Sequence, residues 1–336
     1  MAREAGVSPA TVSRVLNATG YPVSDCARQK VISAADRLDY TPNQLGRMLQ
    51  KNQNKTLGII VPTITNPFYS QIVVGIETEA RRRGYGALLC NTLRDAGEEN
   101  KCILSLFEKQ VEGIVISSVV EDHALIRSLQ KKGLKLVLID QDAPDLDCLR
   151  IGYNYIKSGI IAAEYLIGRG HRKAAFVSSP LNKRSRVELL EGFRAGYAMH
   201  GLELKTDHVI LDEAEAEIDD SIYEIECGKR LAPRLLSMKD RPTAVFAAND
   251  MIAIGIMQQM NAFGLSVPDD LSLIGFDNII LSSAVQPSLT TIEQPAAMTG
   301  RVACQLLIGM MEGSDANPLA ISLEPRLVER NSVKRI

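Results

Sequence analysis

From Leu57 onward the chain alternates short apolar runs with amphipathic stretches, and this alternation limits its fold more than any other feature. Leu57-Gly-Ile-Ile-Val-Pro62 is such a run. A segment this short and this apolar suits a strand buried on both faces of a parallel sheet. Ile72, Val73, Ile76 and Ala80 follow at helical spacing. Further strands are expected over 87–90, 113–117, 136–140 and 150–151, with helices over 98–109, 122–132 and 156–168 between them. A second set has strands over 174–178, 209–211, 244–247 and 271–275 and helices over 187–199, 222–237 and 252–263. After Thr290-Thr291-Ile292, a helix near 297–311 and a last strand near 321–323 complete the pattern. Repeated strand–helix units build parallel sheets with right-handed crossovers. This many strands predicts an α/β fold of two Rossmann-like, doubly wound lobes.

The first 56 residues differ. They carry eight Lys and Arg against four Asp and Glu, a net +4 that leaves −6 on the remainder. A basic arm on an acidic body is the footprint of a nucleic-acid binder whose body does something else. Gly6 is a turn residue, Ser8 a good N-cap and Pro9 suited to a first helical position. Val12, Val15 and Leu16 form an apolar stripe, while Ala10, Thr11, Ser13, Arg14 and Asn17 make a small, donor-rich front. The major groove admits such a helix, although an ordinary surface helix would read similarly. Residues 18–23 make a turn containing Tyr21. Ser24 caps a helix to about Leu38 with Val31, Ile32, Ala35 and Leu38 inward, stopped by Thr41-Pro42-Asn43. Residues 44–50 are too short for a stable isolated helix.

The six cysteines show no C-x-x-C pair and the four histidines are scattered, so neither metal nor cofactor is expected, and the thiols read as buried in a reducing cytoplasm. No apolar run approaches the roughly 20 residues of a membrane span. The start shows no apolar run of a signal peptide. An enzyme finds little support. Gly84-Tyr-Gly86 follows a helix and lacks a third glycine, and no G-x-S-x-G, G-x-x-x-x-G-K-[ST] or H-E-x-x-H occurs.

Ala2, Ala5-Gly-Val-Ser8 and Thr11-Val-Ser-Arg-Val-Leu-Asn17 match, without a gap, the opening of the lactose/galactose-repressor (LacI/GalR) family. The resemblance extends through Val61-Pro62, Asn66-Pro-Phe-Tyr69, Ala247-Ala-Asn-Asp250, Gly275-Phe-Asp-Asn278 and Leu289-Thr-Thr-Ile292-x-Gln294-Pro295. It implies a helix-turn-helix headpiece followed by two lobes resembling the type I periplasmic binding proteins, with a ligand cleft between them and three crossings. The matching organisation is a headpiece over 1–42, a hinge helix over 43–56, a first lobe of 57–152 with 287–318, and a second lobe of 153–286 with 319–336. The resemblance places Pro9 and Ala10 at base-reading positions and Arg14 at a base edge. Ser8, Thr11, Ser13 and Asn17 fall at phosphates, with Tyr21 and Asn43 among the DNA contacts and Leu49 as a minor-groove wedge. Met1 stands where the family has Val in mid-helix, so the natural protein is expected to begin a few residues earlier. Were the shortened helix genuine, the alternative is a solute-binding or metabolite-sensing protein without DNA binding.

Ligands of open α/β sheets bind beyond the carboxyl ends of strands. Asp140, Asn249 and Asp277 stand there, with Asn66 and Phe68 after the first strand. Carboxylates accept hydrogen bonds and an amide does both, which suits several hydroxyls. The same residues could equally cap the helices that follow, the preferred reading for Asp250. The resemblance favours effector contact for Asn249 and Asp277. The family often has R-x-x-G-[FY] in the second lobe, but Leu189 replaces that Arg, so Arg186 or Arg184 would have to substitute, and a hexose is in doubt. The expected protein is a cytoplasmic repressor. It binds operator DNA as a homodimer, not a tetramer, since no leucine-heptad helix follows the last strand. Its effector is a small polar metabolite, a sugar or related compound. The expected pairing surfaces are helices 72–83 and 252–263.

Overall fold

The computed structural model describes residues 1–17, 21–40, 55–140, 143, 145–213, 222–314 and 320–336. The expected hinge over 43–56 lies almost wholly outside them, and with it Asn43 and Leu49. The chain divides into Met1–Asn54 and Lys55–Ile336.

In the smaller unit, α1 (Ala2–Ala5), α2 (Pro9–Asn17) and α3 (Asp25–Arg37) enclose a core of Ala5, Val12, Val15, Val31 and Ala34. Gly6 ends α1 in the left-handed region at φ +62°, where a Cβ would be strained. Ser8 then caps α2: its Oγ accepts Thr11 N–H at 3.1 Å. Ser24 likewise accepts Ala27 N–H at 3.4 Å to start α3. The inward stripe of α3 is Val31 with Ala34, whereas Ile32 and Leu38, expected inside, are exposed. Facing α1 and α2 turns the helix so that positions 31 and 34 meet them.

The larger unit runs β1 (Thr56–Val61), α4 (Pro67–Arg82), β2 (Gly86–Asn91), α5 (Ala96–Glu108), β3 (Gly113–Ile116), α6 (Ala124–Gln130), β4 (Lys135–Ile139), β5 (Leu149–Tyr153), α7 (Tyr155–Gly168), β6 (Ala174–Ser178), α8 (Arg184–Met199), β7 (Val209–Leu211), α9 (Tyr223–Ser237), β8 (Ala244–Ala247), α10 (Asp250–Ala262), β9 (Ser272–Asp277), α11 (Ile280–Ala284), β10 (Thr290–Glu293), α12 (Ala296–Met311), β11 (Ala320–Leu323) and β12 (Arg326–Val328). The strands form two six-stranded sheets, ordered β11-β5-β4-β3-β1-β2 and β12-β10-β9-β8-β6-β7. All pairings are parallel except β10 with β12. Central strands β1, β3, β6, β8 and β9 are buried almost throughout, which is why they read as unbroken apolar runs.

The chain crosses between lobes after β5, after β10 and after β11. Two expected boundaries therefore move. Thr290–Glu293 was expected in the first lobe but pairs with β9 in the second sheet, and Ala320–Leu323 was expected in the second lobe but pairs with β5 in the first. Helix packing fixes the layers closely. α7 and α8 cross where a Cβ on Gly192 would stand 2.0 Å from the Ile156 carbonyl oxygen. Only glycine permits that approach.

Candidate functional site

On α2, Pro9, Ala10 and Arg14 are exposed, and Thr11 and Ser13 are half-buried. The buried Val12 and Val15 hold the opposite face against the headpiece core. Arg14 sits with its guanidinium carbon 5.2 Å from the centre of the exposed Tyr21 ring, so two candidate DNA contacts lie side by side. Ser8 is engaged locally, with its Oγ 2.9 Å from Thr11 Oγ1. The Asn17 side chain lies outside the described residues.

The cleft of the larger unit gathers all six candidate effector residues. Asn66, Phe68, Asp140, Arg186, Asn249 and Asp277 line one cavity. Each arrives on the end of an element. Asp140 follows β4 and Asp277 ends β9, both with positive φ (+63° and +114°). Non-glycine residues at positive φ are uncommon and cluster at functional positions. Asn249 precedes α10, and its Oδ1 accepts Ile252 N–H at 2.8 Å, so it caps the helix as well as lining the cavity. Asn66 does the same at α4, accepting Phe68 N–H at 3.0 Å. Arg186, on the first turn of α8, donates to the Pro180 carbonyl and to Asn182 Oδ1, both at 2.9 Å, with its side chain near the position that Leu189 leaves apolar.

The register of β10 on β9 pairs Glu293 with Asp277, and this brings Gln294 beside the cleft. Its Nε2 donates to Asp277 Oδ1 at 2.8 Å. Burial, reinforced by Asp250, Asp140 and Glu224, holds the Asp277 carboxyl well above the ordinary range. Burial also pushes Asp140 up to about 7, against the opposing pull of Lys183 and Arg186. Three buried polar atoms on these walls lack hydrogen-bond partners: Asp140 Oδ1, Gln294 Oε1 and the Tyr155 hydroxyl. Such atoms cost free energy when left unpaired. Gln294 Oε1 only accepts, and Asp140 Oδ1 accepts in the ionised carboxyl, so the complementary ligand supplies O–H or N–H donors. An aromatic wall runs through Phe68, Tyr153, Tyr155 and Phe276, in edge or tilted contacts at ring separations of 6.0 to 6.2 Å.

Several cavity residues escaped the sequence reading. Arg94 lies on the turn after β2 and Glu224 on the first turn of α9. Their side chains meet across the cleft, Nη2 to Oε1 at 2.5 Å, only 8% and 4% exposed. Asn66 Nδ2 donates to the same Glu224 oxygen at 3.1 Å. No local pattern marks this pair. Gln294 lies within the stretch Leu289-Thr-Thr-Ile292-x-Gln294-Pro295, and its place just past β10 was the available signal. Asp250 does not cap the helix that follows, a place taken by Asn249; it is fully buried and ties α10 to its neighbours, accepting from Thr291 Oγ1 at 2.5 Å and Ile279 N–H at 2.9 Å. Among the described residues no group of acidic, His and Cys side chains could hold a metal ion, and no helix is long and apolar enough to cross a membrane.

Residues 1–43 match the bacterial regulatory proteins of the lacI family, and residues 163–333 match a periplasmic binding protein-like domain. The chain is 33% identical over 337 residues to the HTH-type transcriptional repressor PurR of Vibrio atlanticus (strain LGP32), covering 100% of this chain and 98% of that protein. It is 35% identical over 334 residues to the ribose operon repressor of Escherichia coli (strain K12), covering 99% and 98%. The structure of a LacI family transcriptional regulator from Enterococcus faecium with bound ribose superposes with a TM-score of 0.74 at 28% identity, over 84% of this chain and 100% of that one. With these relatives matched from end to end, and a polar-fronted helix and a two-lobed cleft in place, the chain belongs to the lacI family of bacterial regulatory proteins.

Proposed function

We propose that the protein represses transcription by binding an operator through α2, under the control of a small polyhydroxy metabolite held between its lobes. The observation that carries the effector reading is the set of unpartnered acceptors, Asp140 Oδ1 and Gln294 Oε1, on the walls of an aromatic-lined cavity. A ring with several hydroxyls satisfies those acceptors and lays its C–H face on the aromatic side chains. The relatives include a ribose operon repressor and a ribose-bound regulator, which agrees with that chemistry. Leu189 and Phe276 make one wall apolar, so the ligand presents a poorly hydroxylated edge there. In this reading Asn66, Phe68, Asp140, Arg186, Asn249 and Asp277 contact effector, and Pro9, Ala10 and Arg14 read bases while Ser8, Thr11, Ser13 and Asn17 hold phosphates. The protein is a binding device and not an enzyme, it acts as a homodimer, and it works in the cytoplasm with the DNA it regulates.

The test pairs an operator selection on random duplexes with a thermal-shift screen of pentoses, hexoses and polyols. A preferred sequence, whose binding one of these compounds alters, is the expected result. A protein that selects no sequence contradicts the repressor reading, and one that no polyol stabilises contradicts the effector reading.

A further inference from the structure

Arg14 stands on the exposed front of α2, and the ring of Tyr21 lies against it, 5.2 Å from the guanidinium carbon to the ring centre. The ring is 67% exposed and belongs neither to the headpiece core nor to the side chains packed around it. A core role therefore does not account for an aromatic side chain at this position. Among the described residues no carboxylate pairs with Arg14, so the N–H groups along the edge of its guanidinium are open to a ligand.

The chain leading into α3 fixes the ring from the other side. Pro22 disfavours helical backbone at Tyr21 and leaves it extended. Val23 packs on the headpiece core, and Ser24 caps α3. The ring is thus tied to the folded headpiece although it is not buried in it. An unsupported arginine on a helix samples many rotamers and must surrender them when it meets a base. A guanidinium stacked on an aromatic face has surrendered part of that freedom beforehand, which lowers the cost of binding. Stacking occupies the flat face of the guanidinium, whereas pairing with guanine O6 and N7 uses its edge. One arrangement therefore accommodates both contacts. A phosphate contact by the Tyr21 hydroxyl would need no ring on Arg14.

We infer that Tyr21 is a positioning residue for sequence readout: its ring holds the Arg14 guanidinium edge-on to the major groove, and its hydroxyl is dispensable. This rests on the repressor reading above, in which Arg14 meets a base edge, and adds the residue that sets its orientation.

Fluorescence anisotropy of the full chain tests it on three probes: the duplex that the wild-type chain selects, that duplex changed one base pair at a time, and a random-sequence duplex of equal length. Arg14→Ala marks the base pair that Arg14 reads, as the position where preference disappears. Tyr21→Ala and Tyr21→Leu should weaken preference at that same base pair by about two- to fivefold per headpiece, and change binding to the random duplex by less than about twofold. Tyr21→Phe should keep the wild-type preference, and Tyr21→Ala added to Arg14→Ala should remove nothing further. Tyr21→Leu keeps the bulk of the side chain without its π-face, so the test stands even where circular dichroism shows the alanine variant to be misfolded. A loss in Tyr21→Phe as large as in Tyr21→Ala makes the hydroxyl the active group and overturns the inference. Equal losses on selected and random duplexes overturn it too, as does an undiminished preference in Tyr21→Leu. If the wild-type chain selects no duplex, or Arg14→Ala leaves every base preference intact, base reading by Arg14 falls and its positioning falls with it.

Discussion

At the residue scale, three buried carboxyl groups, Asp140 and Asp277 in the cleft and Asp250 at the start of α10, hold their protons more tightly than exposed ones do. Asp140 has a folded pKa of about 7 against an ordinary 3.8, so the folded chain holds its proton more tightly than the unfolded chain does. Between those values the folded state binds more protons, and stability must fall as pH rises from about 4 to 7. Asp250, also raised to about 7, and Asp277, held well above the ordinary range, add to the same slope. Asp140→Asn removes the first contribution and leaves the other two. Its melting temperature should therefore decline less steeply than wild type between pH 4.5 and 7, and parallel curves would contradict this assignment. Asp277→Ala takes away an acceptor and leaves Gln294 without its partner. Each ligand hydroxyl stranded in this way costs about 1–3 kcal/mol, so polyol affinity should drop by about tenfold or more while the fold persists by circular dichroism. On the headpiece, Arg14→Ala should lower specific operator affinity by about 1–3 kcal/mol if the guanidinium pairs with guanine. Equal losses on specific and random duplexes would instead make Arg14 a phosphate contact.

At the scale of elements, the contact between the turn after β2 and the start of α9 joins the lobes through side chains alone. Arg94 and Glu224 are both more than nine-tenths buried, so removing one partner strands a charge in a low-dielectric site. Such losses run to about 3–5 kcal/mol. Glu224→Ala should therefore either destabilise the body by that order or be relieved by the lobes parting, which would admit water to Arg94. Spin labels, one on each lobe, distinguish the two by their separation. The double variant Arg94→Leu with Glu224→Leu should recover most of the loss. A single variant with unchanged melting and unchanged distances would show the pair to be inert. The alternation of strands and helices was legible because parallel strands buried on both faces must be apolar. Strand partners were not, since β10 and β11 choose their sheets by distant register, which no local period encodes. For the same reason Asp140 and Asp277 could be found by their places at strand ends, while Arg94 could not. It reaches the cleft through Leu93 and Arg94, two successive non-glycine residues at φ +51° and +61°, a turn that neither residue type announces.

At the scale of the whole molecule, one α2 helix offers few base contacts, and two related by a twofold axis multiply them across half-sites about one helical turn apart. The larger unit carries exposed apolar surface fit for pairing. α10 buries Met251, Ile252, Ala253 and Ile256 within its own lobe, while Phe263 at its end is 51% exposed. The first lobe exposes Val74 at 58%, on the helix 72–83, and Leu89 at 46% and Leu93 at 56%, on and just after the edge strand β2. An exposed apolar strand edge is a pairing surface unless something covers it. Light scattering at micromolar concentration should give the mass of two chains, and Leu89→Asp should shift it toward one. Pairing through the first lobe would also join the effector and operator sites in one equilibrium. If occupancy of the cleft changes operator affinity by some factor, operator DNA must change effector affinity by the same factor, because both are legs of one thermodynamic cycle. Titrating the polyol with and without saturating operator measures one leg, and titrating operator with and without saturating polyol measures the other. The two ratios should agree; a chain whose operator affinity responds to the polyol through aggregation or unfolding, and not through linkage, would give two that differ.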